Sequence, residues 1–398
     1  MSPQDLQPES HFRLAAPPVV TAPNPPDSVA SRTTAVLHLI NGQHYSGAER
    51  VQDLLGSGMP AFGYRAGFAC LKSGRFAAQR RSRACRVHEV PMRHRLDRRP
   101  AGPLCQLIGE YDYRLLHAHT PRSLMMASRV AGRLGLPLVY HVHSPAGRDS
   151  TRWFSNRINR RVESRMARHV DHFVCVSHSL RDYMESLGHD PYRLSVVPNG
   201  VAVIPELPDR KRPRGTWTLG MTALFRPRKG VEVLIEALAL LRQRGRPVRL
   251  LAVGPFESAE YRDRITTLAR QRSVAGLVEW AGFSGDVPGY LQQMDLFVLP
   301  SLFGEGLPMV VLEAMASGVP VVAARVEGTP EAIRDGVDGR LFDPGNPVAL
   351  ADCIEQVMQG NPDWMSLRDS ALQRQRRGFS DVSMARGVAG IYDQLLNR

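Results

Sequence analysis

The 398-residue chain lacks the features that mark secreted or metal-clustered proteins. Its five cysteines are scattered and include no Cys-x-x-Cys spacing, which argues against a zinc or redox motif and for reduced thiols. The first residues are polar and rich in proline rather than apolar, so they do not resemble a signal peptide. Apolar residues make up 43% and charged residues 22%, as in a soluble globular protein. We therefore expect a cytoplasmic protein.

A long apolar run, residues 306–324, has almost the length of a membrane span. Pro308, Glu313 and Pro320 interrupt it and argue against that interpretation. An unpaired charge in such surroundings is costly unless something binds it. Glu313 is therefore a candidate binding residue.

Apolar strand-like runs alternate with helical patterns along the whole chain, which predicts parallel sheets built from βαβ units. The predicted strands are 35–40, 113–119, 136–143, 172–177, 216–224, 248–254, 278–283, 296–300 and 319–324, and the predicted helices are 48–55, 123–134, 156–168, 231–244, 261–272, 288–294 and 308–316. The pattern indicates an α/β protein of two doubly wound, Rossmann-like domains that face each other across a cleft.

The composition also predicts domain limits. Residues 1–30 are interpreted as a disordered, proline-rich arm, 31–203 as a first domain, 204–215 as a Pro- and Arg-rich linker and 216–382 as a second domain. Residues 383–398 place Met384, Val388, Ile391 and Leu395 at helical spacing, which predicts a final helix.

Positive charge is concentrated in the first half. Residues 1–205 hold 27 Lys and Arg against 15 Asp and Glu, a net charge of +12, whereas the remainder carries +1. Two segments, 72–99 and 148–169, are especially basic, and the second includes Trp153 and Phe154. Basic surfaces with aromatic residues favour an anionic membrane as a peripheral partner. Nucleic acid is the rival partner, but no nucleic-acid-binding motif accompanies the charge, and none is predicted.

Glu305 and Glu313 lie eight positions apart at the start of an apolar helix. Pro308 suits the first helical position, so Glu305 and Gly306 are expected in the loop before it. The N-terminus of a helix favours an anion through its N–H groups and its dipole, while carboxylates bind sugar hydroxyls. The pattern therefore indicates a site for a phosphate and a sugar.

Nine motifs in register resemble family 4 of the retaining nucleotide-sugar glycosyltransferases, which have the GT-B fold. They are SGAER at 46–50, HVHSP at 141–145, VSHSL at 176–180, VPNGV at 197–201, RPRKG at 226–230, AGF at 281–283, DLFVLPS at 295–301, the Glu305/Glu313 pair and GTPEAI at 328–333. The resemblance covers most of the chain from about residue 34. It implies a final helix that crosses back to the first domain.

The resemblance also implies roles for the acidic block. Glu305 is expected to contact hydroxyls of the donor sugar as a catalytic residue. Gly306 and Leu307 would offer backbone amides to the sugar and diphosphate, and Glu313 would bind the ribose. Base contacts are expected near Phe283 and Ser284. Retention of configuration is implied by the resemblance alone.

The departing diphosphate needs positive charge, because negative charge develops there as the glycosidic bond breaks. The chain contains no Asp-x-Asp, so we expect no metal and no cofactor. The resemblance assigns Lys229 to the diphosphate. The family's arginine lies five positions earlier, where this chain has Leu224, and Arg226 is the predicted substitute. For Arg228, a phosphate contact and an ordinary surface position stay open.

The first domain supplies further candidates. His143 follows a predicted strand and, by resemblance, lies against the transferred sugar as a catalytic residue. His141 points to the same face and is the alternative ligand. His119 and Arg122 are expected on the acceptor side. Gly47 permits close approach of a phosphate or acceptor where a helix begins.

These observations predict transfer of a sugar from a UDP- or GDP-sugar to a hydroxyl of a lipid-linked glycan in surface-polysaccharide synthesis, at the inner face of the plasma membrane. A sugar-nucleotide epimerase or phosphorylase on the same fold, and a non-catalytic sugar-nucleotide-binding subunit, are the alternatives. Glu305→Ala is expected to abolish transfer without harming the fold, because a loop residue contributes little packing.

Overall fold

The structure is a computed structural model that describes residues 33–45, 47–94, 97–145 and 166–397. The described residues form two parallel sheets, of seven and six strands, with helices on both faces. This confirms the predicted α/β fold. The proline-rich arm and most of the basic segment 148–169, with Trp153 and Phe154, lie outside the described residues, as does most of the predicted helix 156–168.

The first sheet has the strand order β3-β2-β1-β4-β5-β6-β7. Its strands are β1 Thr34–Ile40, β2 Tyr64–Cys70, β3 Arg86–Glu89, β4 Tyr113–Ala118, β5 Leu138–Val142, β6 His172–Cys175 and β7 Leu194–Val196. The helices of this part are α1 Gly47–Gly58, α2 Phe76–Gln79, α3 Ala101–Glu110, α4 Pro121–Leu134 and α5 His178–Ser186. The central strands are buried on both faces, which explains why they are continuous apolar runs.

The second sheet has the order β10-β9-β8-β11-β12-β13. Its strands are β8 Trp217–Thr222, β9 Val248–Val253, β10 Val278–Gly282, β11 Leu296–Leu299, β12 Val321–Ala324 and β13 Arg340–Phe342. The helices are α6 Val231–Gln243, α7 Ala259–Gln271, α8 Val287–Leu291, α9 Met309–Ala316, α10 Thr329–Ala332, α11 Pro347–Gln359, α12 Trp364–Gly378 and α13 Asp381–Leu395. In both sheets the order reverses beside the first strand, where α/β proteins bind ligands.

The last helix, α13, packs against the first part of the chain. Its Met384, Val388 and Ile391 are buried, as the helical spacing predicted. Tyr64 donates a hydrogen bond of 2.6 Å to Asp393. The predicted return of the C-terminal helix to the first domain is therefore confirmed, and this helix connects both halves of the molecule.

The two halves also meet through a carboxylate from α10. The N–H groups of His178 and Ser179, at the start of α5, donate to Glu331 at 2.7 and 2.8 Å. A carboxylate is favourable at the N-terminus of a helix.

Among the residues that the structure describes, every helix is too short or too polar to span a membrane.

Candidate active site

The carboxyl ends of the strands of both sheets face each other across a cleft, and loops from the two sides touch there. A Cβ atom at position 306 would collide with the carbonyl oxygen of His143, so glycine is required for this approach. The side-chain amide of Asn199 donates to the carbonyl of Leu307 at 2.9 Å. We call residues 300–308, between β11 and α9, the acidic loop. This loop of the second domain is therefore held against the end of β5 in the first domain.

Glu305 lies in the loop between β11 and α9 and is only 6% exposed. Lys229 donates to its Oε1 atom, and the hydroxyl of Ser301 donates to the same atom at 2.7 Å. The guanidinium of Arg228 lies 3.6 Å from that oxygen. The expectation that Glu305 contributes little packing is wrong, because its carboxylate is buried among two cations and a hydroxyl.

The charges of this group depend on one another. Burial favours the neutral form of Glu305, but Lys229 and Arg228 outweigh it and lower the pKa of the carboxyl group below its ordinary value. Burial also lowers the pKa of Lys229, and Glu305 opposes that shift. We infer that the carboxylate and the ammonium form a charged pair, because the pKa of Glu305 is lowered and the two groups are in contact.

The two candidate arginines of the RPRKG motif lie in different places. Arg226 approaches the exposed Glu257, with an N–O distance of 3.7 Å. Arg228 donates to the carbonyl of Gly304 at 3.1 Å and faces Glu305. The structure thus brings Arg228 to the acidic loop, and a phosphate contact for Arg226 stays a prediction.

Two further features shape the acidic loop. Glu327 accepts hydrogen bonds from the N–H groups of Gly304 and Glu305 at 2.9 and 3.2 Å. Pro308 is the residue before α9 rather than its first residue, with φ −73° and ψ 112°. The predicted start of the helix is therefore one residue early, and the helical N–H groups begin at Met309.

Glu313 lies in α9 and is 8% exposed. Both of its oxygens accept hydrogen bonds from Arg50, which belongs to α1 of the first domain. Burial raises the pKa of Glu313, and Arg50 partly opposes this. The predicted ribose ligand is thus bound by an arginine across the cleft. Arg50 was not predicted as a site residue, although it is the last residue of the SGAER motif.

We expect Glu313→Ala to weaken donor binding by about 10- to 100-fold, because a hydrogen bond to a charged group contributes roughly 1.5–3 kcal/mol. Arg50→Ala should strengthen donor binding, since it frees the carboxylate of Glu313 for the ribose. Arg83→Ala is the control, because Arg83 is exposed and donates only to a local carbonyl. Calorimetric titration with the donor measures all three. Unchanged affinity in Glu313→Ala would contradict the ribose assignment.

Five histidines form a cluster at the carboxyl ends of β1, β4 and β5: His38, His117, His119, His141 and His143. All are buried except His143, which is partly exposed. His38 Nδ1 lies 3.0 Å from His119 Nε2, and His119 Nδ1 lies 3.2 Å from His143 Nε2. The rings of His117 and His119 stack at 4.2 Å, and those of His141 and His143 at 4.3 Å. We call these residues the histidine cluster.

The histidine cluster is neutral at neutral pH. Burial lowers the pKa of His38 to about 3 and that of His143 to about 4. Burial also lowers the pKa values of His117, His119 and His141 well below the ordinary value, and neighbouring histidines add to the effect. A neutral imidazole has one donor and one acceptor nitrogen. The cluster can therefore bind hydroxyls or metal ions.

The histidine cluster extends to the C-terminal helix through Tyr392. The Tyr392 hydroxyl lies 2.6 Å from His117 Nδ1 and 3.5 Å from His38 Nε2. A distance of 2.6 Å is typical of an O–H donor rather than an N–H donor. Tyr392 therefore donates to His117. His38, His117 and Tyr392 were not predicted as site residues. The alternation in HAH at 117–119 and HVH at 141–143 nevertheless indicated that several histidines share one face.

Ring nitrogens in two parts of the histidine cluster are close enough to share a metal ion. In the described residues, His38, His117 and His119 form one such group, and His119, His141 and His143 form the other. Each group has its nitrogens within 4.8 Å of one another. No comparable group of histidines and carboxylates lies around Lys229 in the described part of the chain.

Two of the remaining predicted residues, Gly47 and Phe283, approach the opposite half of the molecule. Gly47 begins α1 and lies opposite Met309. Phe283 is exposed and faces the guanidinium of Arg75 at 5.6 Å, whereas Ser284 accepts from the N–H of Asp286. Their base contacts stay predictions.

Arg122 lies in the first turn of α4, and Lys72 follows β2. Burial lowers the pKa of Lys72, and repulsion from the cation of Arg122 adds to the shift. Lys72 donates to Gln43 at 2.9 Å. The acceptor contact of Arg122 stays a prediction.

Two family profiles match adjacent parts of the chain. The profile described as Glycosyltransferase Family 4 matches residues 45–203, and that described as Glycosyl transferases group 1 matches residues 217–360. Together they cover about three quarters of the chain. The chain belongs to glycosyltransferase family 4. The family motifs recognised in the sequence fall inside these two regions.

Among curated proteins, the chain is similar to the phosphatidyl-myo-inositol mannosyltransferase of Mycobacterium leprae, at 30% identity over 63% of this chain and 65% of that protein. The chain thus matches slightly less than two thirds of that relative. It is also 27% identical to the D-inositol 3-phosphate glycosyltransferase of Corynebacterium glutamicum, over 71% of this chain and 73% of that protein.

Solved structures share the fold. The HepE protein of Anabaena, in complex with UDP and glucose, superposes with a TM-score of 0.80 at 23% identity over 91% of this chain and 100% of that one. Sucrose-phosphate synthase of Thermosynechococcus elongatus gives 0.78 at 18% identity, over 92% and 99%. These likenesses confirm the GT-B architecture of the chain.

Proposed function

We propose that this glycosyltransferase moves a sugar from a nucleotide diphosphate sugar, UDP- or GDP-linked, to a hydroxyl of a lipid-linked glycan, with retention and without a metal at the leaving group. The observation that carries the proposal is the approach of Gly306 to His143 across the cleft. The loop that carries Glu305 thus approaches the backbone of His143, and both residues are predicted sugar ligands, which supports a donor site between the two domains.

The donor side supplies fixed positive charge. The side chains of Arg228 and Lys229 beside the acidic loop are only 11% and 13% exposed, so their charges act in surroundings of lower dielectric than water. Glu305 balances one of these two charges, which leaves one net positive charge for a phosphate. A bound diphosphate would compete for the same cations and release the carboxylate towards sugar hydroxyls.

The first domain favours an anionic acceptor. Lys72 follows β2 and Arg122 lies in the first turn of the helix after β4, so both lie at the carboxyl edge of the first sheet, and the first half of the sequence has a net charge of +12. A lipid-linked glycan carries phosphate, which cations at this edge can bind. The names of the mycobacterial and corynebacterial relatives refer to phosphatidylinositol and inositol phosphate as acceptors, which supports an acceptor of this charge.

Stabilisation by donors tests the proposal. Thermal-shift measurements with UDP-, GDP- and ADP-sugars should show one donor that raises the melting temperature through mass action. Incubation of that donor with lipid-linked acceptor extracts should release the nucleoside diphosphate only when acceptor is present. Sugar interconversion without an acceptor would instead favour the epimerase, and binding without any turnover would favour the non-catalytic subunit.

Membrane association is predicted to depend on charge. The chain should sediment with vesicles that contain anionic lipid at low salt and be released at high salt, because salt screens the attraction. Neutral phosphatidylcholine vesicles are the control. Equal sedimentation with both kinds of vesicle, or none, would remove the argument for a peripheral position at the inner face of the plasma membrane.

A further inference from the structure

We propose that Tyr392 sets the tautomer of His143, so that His143 offers a lone pair and not an N–H to the sugar, whose contact with His143 rests on the proposed function. A chain of hydrogen bonds joins the two residues. His143 Nε2 lies 3.2 Å from His119 Nδ1, and His119 Nε2 lies 3.0 Å from His38 Nδ1. His38 Nε2 lies 3.5 Å from the Tyr392 hydroxyl oxygen. Tyr392, in the C-terminal helix α13, is therefore a positioning residue for the sugar site.

The histidine rings of this chain meet edge to edge. The ring centres of His38 and His119 are 5.2 Å apart with planes 16° apart, and those of His119 and His143 are 5.5 Å apart with planes 19° apart. In each pair the ring centres are farther apart than the facing nitrogens by about two ring radii, so both nitrogens lie near the line between the rings. This is the geometry of an N–H···N hydrogen bond. Because the nitrogens face each other, they do not both turn lone pairs to one metal ion.

Each ring of the chain is neutral and has one N–H and one lone pair. Burial lowers the pKa of His38 to about 3, that of His143 to about 4 and that of His119 well below its ordinary value. A neutral ring that accepts at one nitrogen donates at the other. The chain therefore has two states: all three rings carry the proton on Nε2, or all three carry it on Nδ1.

Tyr392 selects the first of these states. Its hydroxyl donates to His117 Nδ1 at 2.6 Å. The single hydroxyl proton is then in use, so towards His38 the oxygen of Tyr392 can only accept. His38 therefore carries its proton on Nε2, and His119 and His143 follow. In the opposite state a lone pair of His38 would face the oxygen with no proton between them, and both side chains are too buried for water to intervene.

The nitrogen at the end of the chain, His143 Nδ1, keeps a lone pair. Among the residues that the structure describes, this atom has no hydrogen-bond partner, and His143 is the partly exposed member of the chain. A lone pair accepts a hydrogen bond from a hydroxyl, whereas it repels the oxygens of a carboxylate or an amide carbonyl. His143 thus favours a donor sugar with a free hydroxyl at this contact.

NMR of the full chain, with histidine labelled with ¹⁵N and with neither donor nor acceptor present, tests the proposal. Protonated and unprotonated ring nitrogens have well-separated shifts, and each ring is assigned by the loss of its signals when that histidine is replaced. We expect His38, His119 and His143 to carry their protons on Nε2. Tyr392→Phe keeps the aromatic ring but not the hydroxyl, so both states of the chain should then be populated.

Tyr64→Phe is the matched control for Tyr392→Phe. Tyr64 also donates a hydrogen bond to the C-terminal helix, at Asp393, and its ring packs against that of Tyr392. It makes no contact in the chain of histidines, so Tyr64→Phe removes a hydroxyl at the same helix without changing the direction of the chain. The tautomer of His143 should stay that of the unaltered protein, which separates the role of Tyr392 from a general loosening of the helix.

His117→Phe tests the direction of the chain, and it repeats the test if Tyr392→Phe does not fold. Without His117, the Tyr392 hydroxyl donates to His38, so all three rings should carry their protons on Nδ1. The sugar hydroxyl then faces an N–H of His143, and its own proton loses its acceptor. We expect the affinity for the donor identified by thermal shift to fall roughly tenfold, as measured by calorimetric titration.

Three results would overturn the proposal. They are a proton on Nδ1 of His143 in the unaltered chain, a tautomer of His143 that changes in neither Tyr392→Phe nor His117→Phe, and an unchanged donor affinity after the tautomers have reversed. If no donor binds to the unaltered chain, the proposed function fails instead, and the NMR spectra still decide whether Tyr392 sets the tautomer.

Discussion

Replacing Glu305 with glutamine is expected to lower kcat at least about 100-fold, because loss of orientation at the reacting sugar has effects of this size. The structure adds a consequence for stability. Glutamine leaves the largely buried cations of Lys229 and Arg228 without their carboxylate. Breaking a buried ion pair in this way costs about 3–5 kcal/mol. The free energy of unfolding from urea titration and the steady-state kcat measure the two effects separately.

A second substitution separates the structural role of Glu305 from its catalytic role. Lys229→Met in the Glu305→Gln background removes the stranded ammonium, so stability should recover in part. Transfer should not recover, because the double variant lacks both the sugar ligand and the phosphate ligand. Full activity of Glu305→Gln, or recovery of transfer in the double variant, would show that Glu305 only balances charge.

Sequence patterns predicted strands that are continuous buried apolar runs and failed where the run is interrupted or absent. The strands at Thr34–Ile40 and Leu296–Leu299 are buried apolar runs and were predicted. Tyr64–Cys70 was missed, since Gly67 interrupts its pattern. That glycine is needed because the hydroxyl of Tyr113 occupies the place of its side chain. The edge strand Arg86–Glu89 is only partly buried and therefore has no apolar run to detect.

In the site, residues that are close in sequence could be predicted together, whereas contacts between residues far apart in sequence could not. The Glu305 and Glu313 block could be found because its residues are neighbours in sequence. The pairing of Arg50 with Glu313 joins residues 263 positions apart, and nothing in either local pattern indicates it. It follows from how the two domains face each other, which local propensity does not determine.

The choice between Arg226 and Arg228 depended on a single turn. Residues Pro227–Lys229 form a short 3-10 helix that ends at Gly230 with φ 66°. A left-handed residue of this kind favours glycine. The turn points Arg228 and Lys229 towards the acidic loop and leaves Arg226 beside Glu257. Spacing alone could not give this direction.

Acid is expected to unfold the chain with unusual steepness, because the histidine cluster is neutral in the folded state. The pKa of His38 is lowered to about 3 and that of His143 to about 4, and those of the other three are also lowered by burial. The unfolded chain takes up these protons near pH 6.5. Stability is therefore lost as the pH falls below 6.5 and continues to fall until the folded-state pKa values are reached.

The size of the effect follows from the number of protons. Each histidine that is charged only in the unfolded state contributes about 1.4 kcal/mol per pH unit, so five give a slope of about 7 kcal/mol per unit. For His38 and His143, whose folded-state pKa values are about 3 and 4, the accumulated loss at pH 5 is about 4 kcal/mol, and the other three histidines add to it. This is a large part of the whole stability of a typical protein, so we expect the chain to be much less stable at pH 5 than at pH 7.

Urea titrations of metal-free protein between pH 7.5 and 5 measure this slope. His141→Phe should reduce it by about one fifth, because one of five protons is no longer taken up on unfolding. His178→Ala replaces an exposed histidine outside the histidine cluster and should leave the slope unchanged. If the unfolding free energy stays constant from pH 7 to 5, the five rings are charged or hydrated in the folded state. The neutral, closely packed arrangement of the histidine cluster would then be wrong.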